Sequence, residues 1–394
     1  MNIVSIRELK QTVVEIPSEF TFHAQLDAAN KKTTRGGNPY YELRFADAEE
    51  TQVLRVWDNA PQFADCAQIQ SGQFFAITGQ FYKNVEHRGS VDAKEWRFEP
   101  LTDEDANRLL AGSESLQKKQ AEDYDFIETT VKALSDPRLN ALCNRLLDQF
   151  GERFRRTGAA RDYHHARRGG LVEHVAQMMR AAVKICEAYP ELNPDLLVSG
   201  VLFHDIGKLW ENVFTEKGFT MPYSDVGELI GHIPMGMEIV NKLWRDLHDD
   251  ESAGTDSWRD LEPASEQVRL HLLHLIASHH GEMAFGAPVV PKTPEAQALH
   301  YIDNLDAKME MFDRGYLVAA QLSKNVFERV RPLPGRLVRP LGRFEGELDE
   351  PDSAIDEVEE LAEGIEDATL PIPEPTEEEL SAVDEDAGDG DEPF

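Results

Sequence analysis

The sequence has little that would place it outside water. Its longest apolar stretch, Leu196 to Phe203, already contains Ser199 and Gly200 and falls far short of the roughly 18 residues a membrane helix needs. The N-terminus lacks the basic-then-apolar pattern of a signal peptide, so a cytoplasmic protein with no membrane partner is expected. Cysteine is scarce: Cys66, Cys143 and Cys186 are the only three, too few and too scattered for a disulfide framework or a thiolate metal cage. Any metal must then be held by histidine and carboxylate. Positive charge is in deficit as well. The net charge is −33, yet residues 345–394 carry 22 acidic side chains and no Lys or Arg, and subtracting those leaves −11 for residues 1–344. Such a body is not the basic surface that usually announces a nucleic-acid binder.

What is present divides a chain of 394 residues into two domains plus non-globular sequence. From Phe20 to Glu99 it runs in short β-rich segments: Phe20–Leu26, which alternates with period two, then Tyr40–Phe45, Val53–Trp57, Phe74–Phe81 and Val91–Phe98. Breaks fall at residues 36–39, 47–50 and 86–90. Five short strands, with room for a short helix in Asn59–Gln70 between the third and fourth, predict a five-stranded OB-fold β-barrel over residues 1–102. Beyond Thr102 the apolar spacing becomes helical, with Pro137, Pro194, Pro234, Pro263 and Pro294 near successive helix starts. Residues 103–160 are read as a helical connection and residues 161–325 as an all-α domain, which makes the fold class multidomain α+β. Arg329, Arg331, Arg336, Arg339 and Arg343 mark residues 326–344 as a basic linker. The acidic residues 345–394 bury too little apolar surface to offset ordering entropy and are expected to be a disordered tail.

Eleven of the thirteen histidines lie between His164 and His300, inside the helical region. His174, His204 with Asp205, His279 and Asp303 follow apolar neighbours at three- to seven-residue helical spacing, and His232 shares its stripe with Gly236, Ile239 and Leu243, which puts them on or beside the apolar faces of their helices, pointing inward. Burying so many imidazoles and carboxylates without partners is costly. A divalent cation satisfies all of them at once; hydrogen-bonded core histidines or a salt-bridge network without metal are the alternatives.

The order of these residues resembles the H…HD…H…H…D signature of HD-domain metal-dependent phosphohydrolases. The segments His164-His-Ala-Arg-Arg-Gly-Gly-Leu-Val-Glu-His174, Leu202-Phe-His-Asp-Ile-Gly-Lys208, Leu229-Ile-Gly-His232, Ala277-Ser-His-His-Gly281 and Ala298–Ala307 further resemble the YhaM family of 3′-to-5′ exoribonucleases, which join an OB-fold to an HD domain. The resemblance implies that His174, His204, Asp205 and Asp303 bind one divalent metal, that His232 and His279 complete a second, and that Asp205 bridges the two. Mn, Fe, Co, Ni and Zn all suit such donors, and a metal pair of this kind activates water for phosphodiester hydrolysis. Asp205, Lys208 and His165 are then the catalytic candidates, His164 and His280 contact substrate, and Glu173 and Asp306 orient ligands; the alternatives are a solvated helix-end lysine for Lys208 and simple packing for His164, His165 and His280. The expected substrate is single-stranded RNA, with single-stranded DNA as a further possibility, cut to 5′-monophosphates. Two alternatives stay open: a phosphohydrolase of small or cyclic nucleotides, and a non-catalytic single-strand-binding or adaptor protein. Oligomeric state is open too.

If Phe20, Phe22, Leu26, Leu43, Phe45, Leu54 and Val56 fill the barrel, the opposite strand faces present Tyr40, Arg44, Arg55 and Trp57. An aromatic beside guanidinium groups is how OB-folds grip single strands, by stacking and backbone charge. Lys31, Lys32 and Arg35 add basic groups nearby. Against this stands the balance of residues 1–100, with 11 basic and 14 acidic side chains, and the alternative is a barrel docked on the helical domain with Trp57 in the interface.

Overall fold

In a computed structural model of the chain, residues 3–84, 90–161, 165–219, 221–250 and 254–343 are described. The expected disordered tail, His164 and most of the 86–90 break lie outside the described residues.

Alternating burial builds the N-terminal sheet. The long strand β2 (Ser18–Thr33) pairs antiparallel with β3 (Pro39–Ala46) along its second half and with β5 (Phe74–Asn84) along its first. β3 continues to β4 (Thr51–Trp57) and β5 to β6 (Ser90–Pro100), giving the order β4-β3-β2-β5-β6, with the short β1 (Ile3–Val4) parallel to β2. The β2–β3 register shifts between Leu26 and Ala28, and such a bulge bends and twists a strand. The two outer strands approach each other: the Gln52 side chain on β4 donates to the Val91 carbonyl on β6 at 2.9 Å. Phe22, Leu26, Leu43, Phe45, Leu54 and Val56 are buried inside, as the period-two pattern predicts, while Phe20 is only partly buried. Helix α1 (Ile6–Thr12), capped by Ser5, adds Ile6 and Leu9 to this core. The strands read from the sequence begin at Phe20 and leave this helix out, although Ser5 and Glu8 stand at capping-box spacing. Between β4 and β5, two 3₁₀ turns (Pro61–Phe63 and Asp65–Ala67) stand where a short helix was expected. A segment this short makes too few bonds to offset helix nucleation, and 3₁₀ turns are its usual outcome.

After α2 (Asp103–Ala111) comes the helical core: α3 (Glu114–Lys132), α4 (Pro137–Phe154), α5 (Gly170–Ala188), α6 (Pro194–Phe203), α7 (Lys208–Glu211), α8 (Asp225–Ile230), α9 (His232–Asp249), α10 (Ser265–Ser278) and α11 (Pro294–Val318). Asp136, Asn193 and Thr293 each cap a helix whose first residue is proline, where the missing N–H costs nothing. Helix α5 packs against α3, α6 and α11 at the centre. Among the described residues no helix is long and apolar enough to cross a membrane. Residues 326–338, expected as linker, form a two-stranded sheet, β7 (Val326–Arg329) with β8 (Arg336–Val338). Phe327, Leu333 and Leu337 alternate with the arginines and are buried with Met311, Phe312 and Tyr316 of α11, which is what orders the stretch.

Sheet and helices meet at the α7–α8 loop. Phe219 packs with Ala46, Ala48, Phe74, Leu109, Leu110 and Leu116, and its N–H donates to the buried Gln25 side chain at 2.5 Å. Gln25 Nε2 in turn donates to the Gly72 carbonyl at 2.9 Å.

Candidate metal centre

Five segments deliver the candidate ligands to one place. His174 comes from the second turn of α5, His204 and Asp205 from the turn between α6 and α7, His232 from the first residue of α9, His279 from the residue after α10, and Asp303 from α11. The side chains point inward, as expected, but at three of the segments they stand at helix ends: α6 stops at Phe203, α10 stops at Ser278, and α9 begins on His232 itself. Helix ends let elements converge more closely than their flanks do. Gly207 is the clearest case, because a Cβ there would lie 2.0 Å from the His232 carbonyl oxygen. Gly170 does the same for the start of α5, where a Cβ would lie 1.9 Å from the His165 carbonyl.

On one side, His174 Nε2 lies 3.3 Å from His204 Nε2 and 3.4 Å from Asp303 Oδ1, and His204 Nε2 is 3.3 Å from Asp205 Oδ2. On the other, His232 Nε2 and His279 Nε2 lie 3.5 and 3.6 Å from Asp205 Oδ1. His280 joins that side, its ring nitrogen within 4.8 Å of those of His232 and His279. Asp205 Oδ1, His232 Nε2 and His279 Nε2 are buried and have no hydrogen-bond partner among the described residues. Such orphaned groups cost about 1–3 kcal/mol each. Two imidazole nitrogens converging on one carboxylate oxygen, all three orphaned, are the donor set that a divalent cation satisfies.

The opposite ring nitrogens explain why the Nε2 atoms point inward. His204 Nδ1 is held by the Val201 carbonyl at 2.8 Å and His279 Nδ1 by the Ile276 carbonyl at 2.7 Å. His174 Nδ1 is held by Asp306 Oδ2 at 2.6 Å and His232 Nδ1 by Glu211 Oε2 at 3.1 Å. His280 Nδ1 is likewise held by the Phe285 carbonyl at 2.6 Å, so each side has one imidazole fixed by a carboxylate and the rest fixed by backbone, an arrangement typical of metal-binding histidines. Glu211 went unnoticed in the sequence. Its only signal there is its place seven residues after His204, two helical turns on.

The charges favour a cation here. Burial pushes the Asp205 carboxyl up, but Lys208 at 2.6 Å and His204 outweigh it and hold the group well below the usual carboxylate range. Burial opposes a proton on His174, yet Asp303 and Asp306 raise it to about 9, so positive charge is wanted beside Nε2. His279 is driven well below its ordinary value by burial and by His280, which leaves its Nε2 lone pair available.

Of the remaining candidates, His165 is buried and shares Asp306 Oδ2 with His174, at 2.9 Å. His164 lies outside the described residues. Lys208 is buried against Asp205 rather than reaching into solvent. Glu173, expected to orient a ligand, instead turns to Arg167, Lys119 and Gln120; burial opposes ionisation, and those partners bring it down to about 2. Tyr40, Arg44, Arg55 and Trp57 do share the outer face of the sheet, where the Tyr40 and Trp57 rings lie 5.0 Å apart, tilted by 37°. Arg44 is paired there with Asp27, and Glu42 lies 2.6 Å from Lys32 and 3.8 Å from Arg55, so this face is less basic than its arginines suggest.

The cluster lies within a match to a known family: residues 171–308 match the family described as the HD domain, and HD domains are metal-dependent. Most of the chain is also homologous to proteins named 3′-5′ exoribonuclease YhaM. It is 29% identical over 303 residues to that of Bacillus pumilus (strain SAFR-032), covering 76% of this chain and 88% of the relative. It is 28% identical over 300 residues to that of Geobacillus sp. (strain WCH70), covering 76% and 86%, and 29% identical over 318 residues to that of Bacillus subtilis (strain 168), covering 81% and 90%. The resemblance read from the sequence motifs is borne out.

Proposed function

We propose that the protein is a metal-dependent 3′-5′ exoribonuclease that shortens single-stranded RNA and releases 5′-monophosphates. The observation that carries this reading is the convergence of Asp205 Oδ1, His232 Nε2 and His279 Nε2, buried and unpartnered, in a chain whose relatives bear that name. His174, His204, Asp205 and Asp303 would hold one ion, and His232, His279 and His280 with Asp205 would hold a second. A bound pair of this kind lowers the pKa of water from about 16 toward 7 and stabilises charge on the phosphate oxygens. Mn, Fe, Co, Ni and Zn all fit these donors.

The chain's own residues do the positioning. Lys208 fixes Asp205 through Oδ2, which leaves Oδ1 aimed between His232 and His279. Asp306 and Glu211 set the tautomers of His174 and His232. His165, anchored on Asp306, is assigned the contact to the leaving oxygen. The sheet is read as an OB-fold: the order β4-β3-β2-β5-β6, the bulged first long strand, and the approach of β4 to β6 through Gln52 support it. Tyr40 and Trp57 then stack bases while Arg44 and Arg55 track phosphates. Stacking does not read the 2′-hydroxyl, so single-stranded DNA is expected as a second substrate. A time course on a 5′-labelled single-stranded RNA with added Mn²⁺ tests the reading. A ladder of progressively shorter labelled strands, abolished by chelator, is expected; hydrolysis of mononucleotides alone, or cuts only inside the strand, would overturn it.

A further inference from the structure

A cleft between the sheet and the helical core is lined by Asp27 and Arg44 of the sheet region, Arg314 of α11, and Arg161, Phe214 and Tyr223 from the segments flanking α5 and α7. Two of its arginines are paired, Arg44 with Asp27 and Arg314 with Glu50. Arg161 differs. Its guanidinium donates to three backbone carbonyls, those of Glu211 at 2.7 Å, Met221 at 2.9 Å and Pro222 at 3.0 Å, and among the described residues no carboxylate pairs with it. The Tyr223 ring lies over that guanidinium, 4.0 Å from Cζ to the ring centroid, and is 75% exposed.

An aromatic that served packing alone would hide its faces, because burial is what its area contributes. Here a rigid, uncompensated cation fixes the ring from below and its remaining surface meets solvent. The place is informative as well. Arg161 grips the carbonyl of Glu211, whose carboxylate holds His232. Arg44 lines the same cleft and stands on the outer sheet face with Tyr40 and Trp57.

We propose that Tyr223, held on Arg161, is a stacking platform for a nucleobase near the 3′ end of the bound strand, between the sheet and the metal centre. The proposal rests on the single-strand reading above. Stacking on an aromatic ring tolerates any base, and the guanidinium beneath it adds charge that draws the adjacent phosphate. Pre-organisation by three carbonyl bonds keeps the ordering cost low.

The test measures affinity in an Asp205→Asn background, which removes turnover, for a short oligouridylate and for a strand of equal length that is abasic at its 3′-terminal nucleotides. Tyr223→Ala is expected to weaken binding of the oligouridylate by about 5- to 150-fold and to leave the abasic strand unaffected, with Tyr223→Phe close to the parent. An equal loss on both strands would show that Tyr223 only shapes the loop, and no loss on either would show that no base stacks there; both overturn the platform. Absence of binding to either strand by the Asp205→Asn parent would instead remove the single-strand reading itself, and the platform with it.

Discussion

At the scale of single residues, the centre depends as much on groups behind the ligands as on the ligands. Glu211 is the sharpest case, since its carboxylate accepts from His232 Nδ1 and so points Nε2 at Asp205. Glu211→Gln is expected to cost about 10- to 100-fold in metal affinity on the His232 side, read by calorimetric titration; unchanged affinity would show that His232 needs no such support. The histidine and aspartate ligand candidates were legible in the sequence because their order and spacing survive without coordinates. Glu211 was not. It belongs to the centre only because α9 starts directly above the 204–207 turn, and no periodicity within one helix announces a contact between two.

Elements meet here at their ends, and that is where the sequence reading was weakest. Apolar spacing placed His204 and His279 correctly in depth, but the helices stop one residue before each of them, because the last turn must open for neighbours to approach. Gly207→Ala tests this approach: with only 2.0 Å available, α9 must shift, at about 1–3 kcal/mol by analogy with other overpacked sites, and metal affinity should fall alongside the thermal midpoint. A variant as stable and as metal-loaded as wild type would mean that the turn and α9 are not in contact. Gln25→Ala tests the joint between sheet and helices. It leaves the Phe219 N–H and the Gly72 carbonyl without their buried partner, so a loss of about 1–3 kcal/mol is expected, with faster amide exchange in residues 213–219 than elsewhere. The β7–β8 pair shows a further limit of composition, since five arginines hid three well-spaced apolar residues that bury against α11.

For the molecule as a whole, β-rich and helical halves were readable from the change of period near Thr102, whereas their joint was not, because its residues are distant in sequence. Glu50 is part of that joint, 2.9 Å from Lys10 of α1 and 3.6 Å from Arg314 of α11. Burial raises its carboxyl, but Lys10 and Arg314 outweigh burial and leave it below the ordinary value. A depressed carboxylate stabilises above its unfolded pKa of about 4.3 and loses that contribution as pH falls through the folded value. Glu50→Gln should therefore be less stable than wild type by about 1–3 kcal/mol at pH 6, and the gap in urea midpoint should narrow toward pH 3; a gap independent of pH would assign the effect to packing. The central claim is that the buried cluster is a metal centre bridged by Asp205, and calorimetric titration of the stripped full-length protein with Mn²⁺, wild type against Asp205→Asn, tests it most directly. About two ions per wild-type chain are expected, and fewer than about one in the variant with its helical circular dichroism intact; two ions retained by the variant, or none bound by wild type, would contradict it.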